Sequence, residues 1–132
     1  MGSVGYLLDT HTFLWATQDD ARLSEPAKMA MNDKKTQKFI SAASAYEITY
    51  KYRLGKLPGY VYVEENYIEI LRNLGAEELP IKTQHAYLAG KMDWEHKDPF
   101  DRFLAAQAYS ENMVLITNDS AFQSLHWLTV LW

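Results

Sequence analysis

HKDPFDRFLAAQA, residues His96–Ala108, reads as the opening of a buried helix. Asp98 is an acidic cap, and Pro99 takes the first helical position, where its missing N–H costs nothing. Phe100, Phe103, Leu104 and Gln107-Ala108 recur at helical spacing, and Ala105-Ala106 allow close packing. Asp101 falls in the first turn, where a carboxylate complements the helix dipole. The helix leads into Val114–Thr117 (VLIT), a short apolar run of the kind buried in a parallel sheet. Repeats of this helix-to-strand unit decide the fold.

Outward from that unit the same alternation continues. Val4–Leu8 (VGYLL), Lys38–Ser41 (KFIS) and Glu78–Ile81 read as further strands, and Leu128–Leu131 as a last edge strand. Helices are expected between them. Thr12–Thr17 is one, and Ser24 caps a second over Ala27–Met31, with Pro26 in its first turn. Ser44-Ala45-Tyr46-Glu47 is an S-x-x-E capping box opening a third helix, which runs to about Leu54 and is ended by Gly55. Val61–Leu74 places Val63, Tyr67, Ile70 and Leu74 on one face; Thr83–Met92 and a short helix near Phe122 complete the set. The class is α/β: a three-layer α/β/α sandwich with a mostly parallel sheet of four to five short strands. Residues 1–132 read as a single domain, with Met1-Gly2-Ser3 open to reading as a non-native start. In such a sheet any site belongs at the carboxyl ends of the strands.

Hydrophobic residues make up 48% of the chain and charged ones 23%, enough for an ordinary core. There is no cysteine, which removes disulfides and thiolate metal sites and fits a cytoplasmic location. No apolar run approaches the roughly 20 residues of a membrane helix, so no membrane partner is expected. The net charge of −4 argues against gripping nucleic acid by bulk positive charge. Contacts to nucleic acid would come from local groups: Lys34/Lys35/Lys38, Lys51/Arg53/Lys56 or Lys97/Arg102.

Four acids fall on one rim of the expected sheet. Asp9 follows the first strand, Asp119 lies two residues past Thr117, and Glu47 and Asp101 stand in the first turns of helices. Each alone is explained as a cap, half of a capping box or a dipole partner. Capping does not require carboxylates at so many crossovers of one sheet. Converging carboxylates repel unless a cation neutralises them. A hard divalent ion, Mg²⁺ or Mn²⁺, suits an all-oxygen site that accepts substrate phosphates, and hydrolysis of a phosphodiester is the natural chemistry there. The chain has no phosphate loop, dinucleotide fingerprint, H-E-x-x-H pair or serine-hydrolase elbow. His96 reads as a packing or capping residue rather than a base.

On these residues the chain resembles the PIN-domain ribonucleases, in particular the VapC-type toxins of bacterial toxin–antitoxin pairs. The matching stretches are YLLDTHTFLW (Tyr6–Trp15), SAYEITYKYRLGKL (Ser44–Leu57), LPI followed by His85, HKDPFDRFLAAQA and LITNDSAF (Leu115–Phe122). The resemblance implies a metal-dependent endoribonuclease toxin held by a cognate antitoxin, with Asp9, Glu47, Asp101 and Asp119 as the catalytic and metal-binding acids. It implies Mg²⁺ (or Mn²⁺) as cofactor, RNA as substrate, a homodimer, and Thr117 as a polar group beside the metal. Lys51 matches a basic position and is expected to meet a phosphate, the alternative being an i,i+4 pair with Glu47; Arg102 is a further expected substrate contact. Lys97 stands where arginine is common, and Met92-Asp93-Trp94 replaces a leucine-proline stretch; neither touches the acids.

Six of the nine tyrosines lie between Ser44 and Leu74, and Tyr46, Tyr50 and Tyr67 are the expected antitoxin contacts. The rival reading is a catalytically idle module of the same fold that binds RNA or a protein; retention of all four acids favours the enzyme. A phosphoacceptor receiver domain would need an Asp after the third strand, and Glu78–Thr83 has none.

Overall fold

Adjacent leucines at the centre of the sheet divide the core into two. Successive side chains of a strand point to opposite faces, so Leu7 and Leu8 of β1 (Tyr6–Leu8) enter different layers, and neither is exposed at all. Leu8 packs with Phe13, Leu14, Ile40 and Ile116 on one face; Leu7 packs with Leu104, Leu115 and Phe122 on the other. Two buried faces explain why the central strands Tyr6–Leu8 and Val114–Ile116 are continuous apolar runs rather than alternating ones.

The computed structural model describes residues 5–18, 21–57 and 65–132. In chain order, β1 is followed by α1 (Thr10–Thr17), α2 (Glu25–Asn32), β2 (Lys38–Ser41), α3 (Ala42–Arg53) and α4 (Tyr67–Leu74). Then come β3 (Ala76–Leu79), α5 (Thr83–Lys91), α6 (Pro99–Ser110), β4 (Val114–Ile116), a 3₁₀ turn (Ser120–Ser124) and β5 (Val130–Leu131). The five strands are all parallel, in the order β3-β2-β1-β4-β5. Leu8 stands opposite Ile40 on one side and Ile116 on the other. The chain builds outward from β1 to β3 and then returns to place β4 on β1's other side. That reversal makes β1/β4 the switch point, where a crevice forms beyond the strand ends.

Several boundaries differ from the sequence reading. The Ser44…Glu47 capping box does not form: β2 runs directly into α3, and Ser41, already extended at the strand's end, caps it by accepting the Ala43 N–H at 3.0 Å. The third strand is Ala76–Leu79 rather than Glu78–Ile81. Gly75, left-handed at φ 67°, stops α4 and turns straight into the strand, so pairing begins two residues early, and the strand ends before Pro80. Of the expected helix over 61–74, the described part begins at Tyr67 after a turn at Glu65-Asn66; Val63 and residues 61–64 lie outside the described residues, as does Val4.

Buried polar side chains fix where α6 sits. Gln107 accepts the Ser41 hydroxyl at 2.5 Å and donates to the Pro80 carbonyl at 3.1 Å, tying α6 to the ends of β2 and β3. His85 accepts the Lys82 N–H at 2.9 Å and bonds Glu111 at 2.7 Å, joining the start of α5 to the end of α6. Among the described residues no helix is long and apolar enough to cross a membrane.

Candidate active site

Asp9 is a helix cap with one oxygen to spare, because its two oxygens divide the work. Oδ1 accepts the Thr12 N–H at 2.8 Å and caps α1, while Oδ2 accepts the Thr117 hydroxyl at 2.5 Å. Its own N–H donates to the Ile116 carbonyl at 3.1 Å, so β4 holds it from behind. The residue is 7% exposed. Burial pushes its carboxyl above the usual carboxylate range, and the hydrogen bonds from Thr117 and Thr12 pull it part of the way back. Thr117 also accepts the Asp119 N–H at 3.0 Å. One hydroxyl thus links the end of β4, the acid after β1 and the loop carrying Asp119. Asp119 is exposed and caps the 3₁₀ turn through the Ala121 N–H at 2.9 Å.

Glu47 arrives from the second turn of α3, one turn later than a capping box would place it. It is 5% exposed. Oε1 accepts the Thr10 hydroxyl at 2.6 Å, and Oε2 meets Lys51 Nζ at 2.5 Å. Thr10 also shares a hydrogen bond with Ser44 at 2.9 Å, which stitches α1 to α3. Lys51, expected at a phosphate, therefore forms the i,i+4 pair with Glu47 in this structure.

Asp101 occupies the third position of α6, with Asp98 at the cap accepting the Phe100 N–H at 2.9 Å, as the sequence indicated. Its Oδ2 shares a 2.6 Å hydrogen bond with His96 Nε2. Burial raises its carboxyl to about 6; the charges of Asp98 and Asp119 push the same way, against the His96 bond. Among the described residues the one trio with ligand atoms within 4.8 Å of one another is His96, Asp98 and Asp101. The four expected acids form no such trio. They share a rim, joined through Thr117, Thr10 and the field between Asp101 and Asp119.

His96 packs as expected, with Trp94 on its ring at 4.8 Å, and in addition bonds Asp101. An H-x-D-P-x-D spacing was the available signal. Several readings need correction. Arg102, expected at the substrate, holds the loop before α6 instead. It donates to the carbonyls of Ala89, Met92, Trp94 and His96 at 2.7–3.0 Å, engaging four of its five N–H groups. Tyr46 and Tyr50 are exposed and stack at 6.0 Å, with Phe100 at 5.6 Å from Tyr46. Tyr67 is not such a contact. Its ring meets Phe13 edge-on in the core, and its hydroxyl is buried with no hydrogen-bond partner among the described residues.

The donor set fits a hard divalent cation. Carboxylates and a hydroxyl dominate it, two of the acids are pushed up by burial, and no ammonium or guanidinium pairs with Asp9, Asp101 or Asp119 among the described residues. Such groups ionise together when a cation is there to share.

The PIN domain family matches residues 6–128 of the chain. No curated protein sequence matches it. Among solved structures, a DNA-bound VapBC from Salmonella typhimurium is similar at 20% identity and TM-score 0.69, covering 98% of each chain. VapBC2 from Rickettsia felis, bound to a fragment of promoter DNA, is similar at 17% identity and TM-score 0.66, covering 96% of each chain. A toxin-antitoxin complex from Klebsiella pneumoniae is similar at 18% identity and TM-score 0.66, covering 98% of this chain and 97% of that one. At these identities the likeness is one of fold.

Proposed function

The chain belongs to the PIN domain family, and on that premise we propose that it is a divalent-metal-dependent endoribonuclease, the toxin of a toxin–antitoxin pair. PIN domains are in general nucleases, which supports hydrolase chemistry. The observation that carries the reading is Asp9: a carboxylate buried at the switch point with hydroxyl and amide partners and no cationic side chain paired to it among the described residues. Buried charges are ordinarily paired or bound to metal.

Asp9, Asp101 and Asp119 would hold Mg²⁺ or Mn²⁺, with Glu47 beside them. A bound cation supplies charge neutralisation at the phosphate and a more acidic water. Thr117 fixes the rotamer of Asp9, and His96 fixes that of Asp101. Water adds to phosphorus and one P–O ester bond breaks, leaving a phosphate monoester and a hydroxyl; no covalent enzyme intermediate is required. The site of action is the cytoplasm, and the second copy in a homodimer follows from the resemblance alone.

For the antitoxin we propose the groove of about 580 Å³ lined by Tyr46, Tyr50, Ile81, Phe100 and Phe103. Its exposed aromatics suit the apolar face of an amphipathic segment. Tyr46→Asp is expected to weaken antitoxin binding at least about tenfold and to leave RNA cleavage nearly intact.

The deciding experiment is RNA cleavage by the purified protein with Mg²⁺ or Mn²⁺, beside Asp9→Asn. Cleavage that needs the ion and is lost in the variant supports the proposal. Full activity in EDTA overturns it, and tight RNA binding without cleavage under either ion returns the idle-module reading.

A further inference from the structure

A cavity of about 520 Å³ opens toward the amino ends of the strands, the opposite end from the acids, beside the first residue of β2 and the turn into β3. Lys28, Lys34, Lys38 and Arg72 line it. No carboxylate does so among the described residues, from which 19–20 and 58–64 are absent. In a chain of net charge −4, four cations around one cavity run against the average.

Lys38 is the informative member. It is 5% exposed, and Nζ donates to the carbonyls of Asp33 at 2.7 Å and Thr36 at 3.3 Å. Two of its three N–H bonds are used. Carbonyls orient the ammonium but bring no net charge, and no carboxylate pairs with it among the described residues. Lys34 and Arg72 are exposed and also make no ion pair there, while Lys28 has a loose 3.7 Å contact with the exposed Glu25. Leu23 and Met31 supply an apolar wall.

We propose that this cavity binds a nucleoside polyphosphate, its phosphate chain against Lys38, Lys34, Lys28 and Arg72 and its nucleoside against Leu23 and Met31. The volume is within the roughly 300–1,000 Å³ usual for small-ligand sites. Four cations match the three or four negative charges of a triphosphate. An acidic peptide would have to bring several carboxylates, each on its own stem, into the same space. The ligand chemistry is common to a free nucleotide and to the 5′-triphosphate end of an RNA. This site lies apart from the acids and does not depend on their being catalytic.

The test is calorimetric titration of the full chain in EDTA with ATP, AMP, hexaglutamate, and short RNAs bearing a 5′-triphosphate or a 5′-hydroxyl. ATP is expected to bind one to one and AMP at least about tenfold more weakly. Lys34→Ala/Arg72→Ala, which breaks no side-chain hydrogen bond or ion pair among the described residues, is expected to weaken ATP at least about tenfold, the size expected for lost charge-assisted hydrogen bonds. Asp9→Asn should bind ATP as the parent does. Lys38→Met tests the buried ammonium; if it fails to fold, the rim pair still decides. Triphosphate RNA binding like ATP, with hydroxyl RNA silent, supports the site and makes the RNA end a source; silence from both RNAs supports it with the free nucleotide as source. Absence of ATP binding, equal affinity in the rim variant, loss in Asp9→Asn, or hexaglutamate binding as tightly as ATP would overturn the proposal.

Discussion

Two aspartates one turn apart are held in different ways. Asp98 gives an oxygen to the Phe100 N–H, whereas Asp101 bonds no backbone and faces His96 and the field of Asp119. Asp98→Ser keeps a cap and is expected to retain most activity, while Asp98→Ala should cost about 1 kcal/mol of stability. Asp101→Asn should abolish metal-dependent cleavage with little loss of stability. Thermal melts and cleavage assays on the three proteins check this, and a stable but inactive Asp98→Ser beside an active Asp101→Asn would reverse the assignment. Tyr67 offers a second test. Its hydroxyl is buried without a partner among the described residues, a desolvation cost with no return bond from them. Tyr67→Phe is expected to be neutral or stabilising by up to about 1 kcal/mol in urea unfolding; a loss of 1 kcal/mol or more would mean the hydroxyl has a partner in solution.

Between α5 and α6 the chain has no regular structure, yet this segment delivers His96 to Asp101. Arg102 organises it from the first turn of α6 by gathering four carbonyls spread from Ala89 to His96. Lysine keeps the charge but not the planar fork. Arg102→Lys is therefore expected to destabilise by about 1–3 kcal/mol and to lower cleavage without changing the KM for RNA. A raised KM with unchanged kcat would put Arg102 on the substrate after all. The helix itself was legible in Asp98-Pro99 and its apolar spacing. The role of Arg102 was not, because its acceptors are backbone carbonyls, which every residue has. The start of α3 was misread for a related reason: Ser41 and Ser44 are equally good caps by composition, and only the direct passage from β2 selects Ser41.

For the molecule as a whole, the alternation of short apolar strands with helices was enough to indicate a buried parallel sheet, and the strand-end rule placed Asp9 and Asp119 on one rim. How closely the acids approach was hidden, since it depends on side-chain directions fixed by Gln107, Thr10 and Thr117 across the fold. Burial of the acids makes stability depend on pH. The Asp101 carboxyl lies at about 6 in the fold against 3.8 ordinarily, and Asp9 is raised too. Between those values the folded chain keeps protons that the unfolded chain has lost, so metal-free stability should fall as pH rises from about 4 to about 6. Affinity for Mn²⁺ should rise over the same window, because the cation displaces those protons. Melts in EDTA and calorimetric Mn²⁺ titrations follow both trends; a fall just as steep in Asp101→Asn would deny Asp101 its share. The Thr117–Asp9 bond has a further consequence in time. Its two ends are 108 positions apart. At roughly 5–20 residues per second, a ribosome takes on the order of 5–20 s to add the second after the first. For that interval the nascent chain carries Asp9 without the hydroxyl that holds its second oxygen, and the rim of acids is not yet assembled.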